Sequence, residues 1–272
     1  MRSASRGLST SARWALRFVV ALVLGFVYVP LAVVVVNSFN SDPSFSWPPR
    51  GVTLQWWRRA SGSAGMIDAL QHSVMIGLAA TAVALVLGTL AAFALQRYEF
   101  FGSQAVSLLI ILPIALPGIV TGLALNNAFT TILGTGISVW SLVIAHATFC
   151  IVVVFNNVVA RLRRLGTSVE EASMDLGATR WTTFRLVTLP NLSSALLAGG
   201  LLAFALSFDE IVVTTFTAPP DIETLPLWIY NNLLSRQQAP VVNVAAAALI
   251  LLSTAPIYLS QRLAGDATAS RI

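Results

Sequence analysis

The run from Phe100 to Ala160, FFGSQAVSLLIILPIALPGIVTGLALNNAFTTILGTGISVWSLVIAHATFCIVVVFNNVVA, contains no Asp, Glu, Lys or Arg. A helix that crosses a bilayer needs about 20 mainly apolar residues. This run has room for two such helices, and Gly134-Thr135-Gly136 is the natural divide between them. The rest of the chain agrees with lipid as the solvent. Of 272 residues, 56% are hydrophobic and 10% charged, and the mean hydropathy is +0.80. Soluble domains carry roughly 25% charged residues.

Working outward from that run, further apolar stretches appear on both sides. Toward the N-terminus a second span lies between about Met66 and Leu95, and a first from Phe18 to Val36. The first is too long for a signal-peptide core and no cleavage site follows, so it reads as an uncleaved anchor. Toward the C-terminus a fifth span runs from about Ser193 to Thr217 and a sixth lies between Arg236 and Arg262. The expectation is an all-α membrane protein of six transmembrane helices. Residues 18–262 form the membrane domain, between short tails at 1–17 and 263–272.

Six spans put both termini on one side, and the arginines choose the side. Arg2, Arg6, Arg13, Arg17, Arg97, Arg161, Arg163, Arg164, Arg180, Arg185, Arg262 and Arg271 share it; Arg50, Arg58, Arg59 and Arg236 fall opposite. Cytoplasmic loops carry the excess of basic residues, so both termini are expected in the cytoplasm. The loop 37–65 then lies outside, and its Trp47, Trp56 and Trp57 suit an interfacial belt.

Several functions are excluded by composition. All 16 basic residues are arginine. Without lysine there is no phosphate-cradling Gly-x-x-x-x-Gly-Lys loop and no Schiff-base chemistry. The net charge of +5 comes from arginines that flank spans, so nucleic acid is not an expected partner. Cys150 is the sole cysteine, and His72 and His146 are isolated. No metal-ligand spacing and no nucleophile–base set is present, so neither a metal site nor an enzyme is expected. His146 reads as a satisfied buried side chain.

One segment is too polar to be a span and too long for a simple turn. From Glu170 it reads EEASMDLGATRWTTFRLVTLP, ending at Pro190. Val169, Ala172 and Leu176 share one helical face. Gly177 tolerates left-handed backbone and can end that helix. A second short helix follows to about Phe184, and Pro190 punctuates the start of the fifth span. The product is a knob with Glu171 and Asp175 on one side of the turn, Arg180 and Arg185 on the other. An amphipathic helix lying on the membrane is the competing reading.

The spacing of this segment resembles the "EAA" loop of ABC importer permeases. Glu171-Ala172-Ser173, three residues, Gly177, nine residues and Val187-Thr188-Leu189-Pro190 follow that pattern, with Ser173 for Ala and Val187 for Ile. Leu95-Gln96-Arg97-Tyr98, Leu112-Pro113, Leu116-Pro117-Gly118, Leu206-Ser207-Phe208-Asp209-Glu210 and the stretch from Thr224 to Tyr230 extend the likeness over nearly the whole chain. They are similar to the spermidine/putrescine branch of these permeases, its C-type subunit in particular. The resemblance implies a type I importer permease fold in the cell membrane, in contact with lipid. It also implies partners: a second permease lining the path, a dimer of ATPase subunits that binds the ATP and Mg, and an extracytoplasmic substrate-binding protein. This chain would hold no cofactor. In the loop 161–192, Glu171 would meet a basic or polar group on the ATPase, Ala172 would pack in its cleft and Gly177 would shape the turn.

Asp209 and Glu210 are two adjacent acids inside an expected span. An ionisable group there costs at least about 2.5–3.5 kcal/mol on insertion scales and usually faces a water-filled cavity. Neighbours on a helix point about 100° apart, so the two do not face the path equally. Asp209 is the favoured path residue, suited to attract a cationic solute; snorkelling, or pairing with an arginine of the second permease, is the alternative. Asn126 and Asn127 are further candidates for lining the route. Pro113, Pro117, Gly118 and Gly122 permit kinks and close approach, and for the glycines packing is the preferred reading. The alternatives to a polyamine importer subunit are a permease for another small solute and a transporter acting alone. The second would show inverted repeats or more intramembrane charge.

Overall fold

The computed structural model describes residues 9–43, 47–235 and 237–251. They fall into two compact units, one drawn from 9–63 and 232–251, the other from 64–231. The larger unit begins with α3 (Ala64–Arg97), followed by α4 (Ser103–Ala115), α5 (Gly118–Asn127) and α6 (Val139–Leu165). Then come α7 (Ser168–Asp175), α8 (Arg180–Thr183), α9 (Leu189–Phe208), α10 (Val212–Thr217) and α11 (Leu225–Asn232).

The core of this unit is α6 held between α3 and α9. Along α3 the buried positions are mostly small: Ala69, Ser73, Gly77, Ala80, Ala84, Gly88 and Ala92. In lipid there is little hydrophobic gain from pairing helices, so close backbone approach through small residues supplies the packing. Gly88 shows how close that approach is. A Cβ added there would sit 2.9 Å from the carbonyl oxygen of Ile151 and 3.0 Å from Val154. Cys150, Val154, Val158 and Leu162 on α6 are fully enclosed, with Ala203 and Leu192 of α9 against them.

Two expected spans are broken. The third is the pair α4 and α5, continued to Ile132, bent by 109°. The cause is Pro117: it disfavours helical backbone at the residue before it, and Leu116 is extended, φ −82° and ψ 145°. The fifth span stops at Phe208 and resumes at Val212. Ile211-Val212-Val213 is a β-branched run with lowered helix propensity. The Glu210 carboxylate meanwhile accepts the N–H of Val213 at 2.7 Å, which starts a new helix there. The broken segments lie side by side: a Cβ on Gly118 would meet Val212 at 3.2 Å, and one on Gly122 would meet Phe216 at 2.7 Å. The packing reading of those two glycines matches this geometry.

In the smaller unit, α1 (Thr10–Asn37) is capped by Ser9, whose hydroxyl accepts from the N–H of Ala12, and none of its residues is buried. Trp14, Phe18 and Phe26 show that it is apolar and exposed on several faces, as suits a helix against lipid or another chain. In the loop after it, Asn40 and Val52 form an antiparallel bridge. Trp57 stacks on Phe39 at 5.3 Å, and Trp56 Nε1 donates to the carbonyl of Asn40 at 2.8 Å. Two of the three tryptophans therefore hold the loop together, while Trp47 is exposed. The short α2 (Gln55–Ser61) ends the segment, and α12 (Ala239–Leu251) is the described part of the sixth expected span.

Among the described residues, four helices are long and apolar enough to cross a membrane (α1, α3, α6 and the run Arg180–Phe208), and the bent pair makes a fifth. Arg2, Arg6, Arg236, Arg262 and Arg271, the end of the sixth span and the 263–272 tail lie outside the described residues.

Candidate functional site

The loop 161–192 is built as two short helices around a glycine. Gly177 has φ 89°, the left-handed region that only glycine enters freely. Its N–H donates to the carbonyl of Met174 at 2.9 Å, and that of Ala178 donates to Ser173 at 3.2 Å, so the turn satisfies the free carbonyls of α7. Thr179 caps α8 through the N–H of Thr182. Ser173 Oγ and Thr183 Oγ1 share a hydrogen bond of 3.0 Å, which folds the two helices onto each other. Between them lies a groove of about 430 Å³ lined by Val169, Ala172, Leu176, Ala178, Leu186 and Val187, among others. The shared face of Val169, Ala172 and Leu176 thus opens onto this groove.

Glu171, Asp175, Arg180 and Arg185 are all exposed. Among the described residues none of their side chains forms a hydrogen bond or ion pair within the chain. Leu189 and Pro190 open α9, at the expected entry to the fifth span. Pro190 occupies the first turn of α9, directly after a wider π turn at Phe184–Thr188. The helix runs on from Arg180 through that turn into α9 without a stop.

Sequence reasoning missed the acid that holds the knob in place. Glu170, beside Glu171 but turned about 100° around the helix, lies against Arg97 at the end of α3. Arg97 Nε is 3.0 Å from one carboxylate oxygen and Nη2 is 3.1 Å from the other. Nη2 also donates to the carbonyl of Gly166 at 2.9 Å, and Thr188 Oγ1 donates to Glu170 at 3.0 Å. Phe93, one turn before Arg97, meets Phe184 edge-on at 5.4 Å. The only sequence signal was two adjacent acids at the start of one helix. Arg97 entered the sequence reading only through topology and the Leu95-Gln96-Arg97-Tyr98 likeness, neither of which points to Glu170.

The second group of candidates lies at the broken helices. Asp209 caps α9 and is exposed; Glu210 is half-buried. Glu210 caps α10 and also borders a cavity of about 260 Å³ between Pro113, Leu116, Gly118, Phe149 and Val213. Asn126 is committed to structure: its Nδ2 donates to the carbonyl of Phe216 at 2.6 Å, tying α5 to α10. Asn127 is exposed.

His146 is fully buried on α6 and spans the break. Nδ1 lies 2.8 Å from Ser207 Oγ, and Nε2 lies 2.9 Å from Thr214 Oγ1. Thr214 spends its one hydroxyl hydrogen on the carbonyl of Glu210 at 2.8 Å. It must therefore accept from the ring, so Nε2 carries the hydrogen and Nδ1 accepts from Ser207. The satisfied buried histidine expected from sequence is present, and its partners are the two sides of the Asp209–Glu210 break.

Residues 84–266 match the family described as "Binding-protein-dependent transport system inner membrane component". Over 241 residues the chain is 37% identical to the spermidine/putrescine transport system permease protein PotC of Haemophilus influenzae, covering 88% of this chain and 92% of that one. It is 35% identical over 245 residues to the putrescine transport system permease protein PotI of Escherichia coli, covering 86% and 85%. Among solved structures, a bacterial ABC transporter involved in the import of the acidic polysaccharide alginate superposes with a TM-score of 0.65. The identity there is 15% and the coverage 92% and 96%, a likeness of fold.

Proposed function

The chain belongs to the family of binding-protein-dependent transport system inner membrane components, and from that premise we propose that it is one of two permease subunits of an ATP-driven importer of polyamines. The observation that carries the coupling half of this reading is the knob. Gly177 in left-handed backbone folds α7 against α8 and presents Glu171 exposed beside an apolar groove. An acid with no partner among the described residues, next to exposed Leu176 and Leu186, suits a docking contact with a second protein that offers a basic group and an apolar edge.

Six spans complete the membrane domain within 18–262, both termini face the cytoplasm, and the knob lies on that side of the cell membrane. The arginine distribution supports this orientation. ATP and Mg are bound by a partner ATPase dimer, and an extracytoplasmic binding protein delivers the solute. Polyamines are the solute class because relatives of 35–37% identity over most of their length carry that name. The exposed Asp209 at a helix break offers an anionic contact for an ammonium group.

Uptake of labelled spermidine and putrescine tests the reading in cells with the intact chain, with Glu171→Ala and without the chain. Uptake should disappear with the chain. It should fall strongly in Glu171→Ala while the permease still reaches the membrane. Uptake that is equal with and without the chain, in cells lacking other polyamine carriers, would reject the polyamine assignment.

A further inference from the structure

Motion of the knob has two covalent routes into the spans. One runs from α8 through the Phe184–Thr188 turn into α9, which is continuous helix. The other runs back through Gly166, whose φ of 65° marks a joint rather than a rod, into α6. No covalent route leads directly from the knob to α3. Yet α3 is the longest helix described and packs on both α6 and α9. Whatever the knob transmits directly to α3 must pass through side chains. Those on hand are Phe93 against Phe184 and Arg97 against Glu170, and only the second is directional and charged.

The geometry of that second contact exceeds what a surface ion pair offers. The guanidinium meets the carboxylate through one hydrogen bond from Nη2 and a close ion-pair contact from Nε, and both side chains are largely withdrawn from solvent, 15% and 19% exposed. A charge-assisted hydrogen bond of this kind fixes orientation as well as distance. The same guanidinium holds the Gly166 carbonyl, so the flexible joint is tied to α3 as well. Thr188 closes the set from the start of α9. One carboxylate thus gathers the end of α3, the start of α7 and the foot of α9.

We infer that Arg97 is the positioning residue of the knob: by clasping Glu170 it makes the knob and α3 move as one body, so that ATP-driven displacement reaches the far end of the membrane domain. This rests on the reading of the knob as the ATPase contact. The far end of α3 is itself tied down. Ser73 Oγ accepts the N–H of Leu225 at 2.8 Å, and His72 Nδ1 lies 3.2 Å from the carbonyl of Glu223. With about 1.5 Å of rise per residue, α3 carries a displacement some 35 Å from Arg97 to Ser73.

A purely topological Arg97 would be replaced by lysine without loss, because lysine keeps the positive charge. A clasp would not, because lysine lacks the planar fork. The test uses the full importer with its binding protein in proteoliposomes, measuring solute taken up per ATP hydrolysed. Glu170→Gln and Arg97→Lys should each lower that ratio about fivefold or more, the low end of measured coupling between sites, while the ATPase still co-purifies. The double variant should be no worse than Arg97→Lys alone, which already loses the Glu170 contact together with the Gly166 carbonyl. A normal ratio in both singles, or losses that multiply in the double, would overturn the clasp. Should Glu170→Gln fail to reach the membrane, Arg97→Lys decides alone. Glu171→Ala separates the two claims: a clasp that fails leaves its defect in ATPase contact intact. Normal uptake and co-purification in Glu171→Ala would remove the coupling reading and the clasp with it.

Discussion

Replacing His146 by alanine should damage this protein more than any other single histidine or asparagine truncation in the larger unit. The ring is fully enclosed, so its removal leaves a cavity, and large-to-small changes at such sites cost about 2–5 kcal/mol. The polar loss adds to this unequally. Thr214 keeps its bond to the Glu210 carbonyl and loses only an incoming donor. Ser207 loses its acceptor, but a serine hydroxyl on a helix can turn to the carbonyl four residues back. Each loss is therefore nearer 1 kcal/mol than 3, and the whole effect should be about 4 kcal/mol. The function should suffer beyond the stability. Without the ring nothing pins Ser207 to Thr214 through α6, so the break is free to shift and Asp209 with it. Denaturant titration of the purified permease measures the first effect, and polyamine uptake normalised to membrane level measures the second. The companion variant His146→Phe fills the space without the hydrogen bonds and should recover most of the stability but not the uptake. If His146→Ala costs no more than Asn127→Ala at the exposed neighbouring site, the pinning argument is wrong.

Two further outcomes follow from the broken helices. Gly122→Ala should push α5 away from α10, because its Cβ would fall 2.7 Å from the Phe216 ring and 3.2 Å from Phe216 Cβ. Overpacking of this kind costs about 1–3 kcal/mol, and it should lower uptake, whereas Gly25→Ala on α1, with nothing within 4 Å, should be silent in both assays. Asp209→Asn should cut polyamine uptake on the order of tenfold, the equivalent of about 1.4 kcal/mol. Glu210→Gln should cost far less, because its amide oxygen still accepts the N–H of Val213; equal losses in the two variants would refute the separate roles of these acids.

The helices were legible because lipid imposes a simple rule: charge-free runs of sufficient length become helices. Phe100 to Ala160 divides where expected, between Ile132 and Val139, and α3 extends only two residues beyond each end of the expected Met66–Leu95 span. The knob was legible for a different reason, since Gly177 is a local instruction that needs no distant partner. The break at Asp209 was not legible as a break. Hydropathy averages over a window and does not register a carboxylate that captures a backbone N–H three residues on. Nor was the Arg97–Glu170 pair, whose members stand 73 residues apart. The bond from Asn126 to the Phe216 carbonyl was hidden for the same reason, since its partners stand 90 residues apart.

A helix interrupted inside a membrane exposes backbone groups that water cannot reach, and each one left unpaired costs several kcal/mol. The α9–α10 break meets that demand from its own side chains. Glu210 takes the N–H of Val213, Thr214 returns a hydrogen to the carbonyl of Glu210, and the N–H of Asp209 still reaches Ala205 at 3.2 Å. His146 then ties both sides to α6. The backbone repair engages Glu210 and does not use the carboxylate of Asp209. That asymmetry is why two neighbouring acids, equivalent in composition, are not equivalent in role. One carboxylate makes the break sustainable, and the break in turn holds the other at an exposed turn. The same logic explains the bend at Pro117 beside it. Gly118 and Gly122 let α5 approach α10 closely enough for Asn126 to hold the Phe216 carbonyl, so the two interruptions support each other.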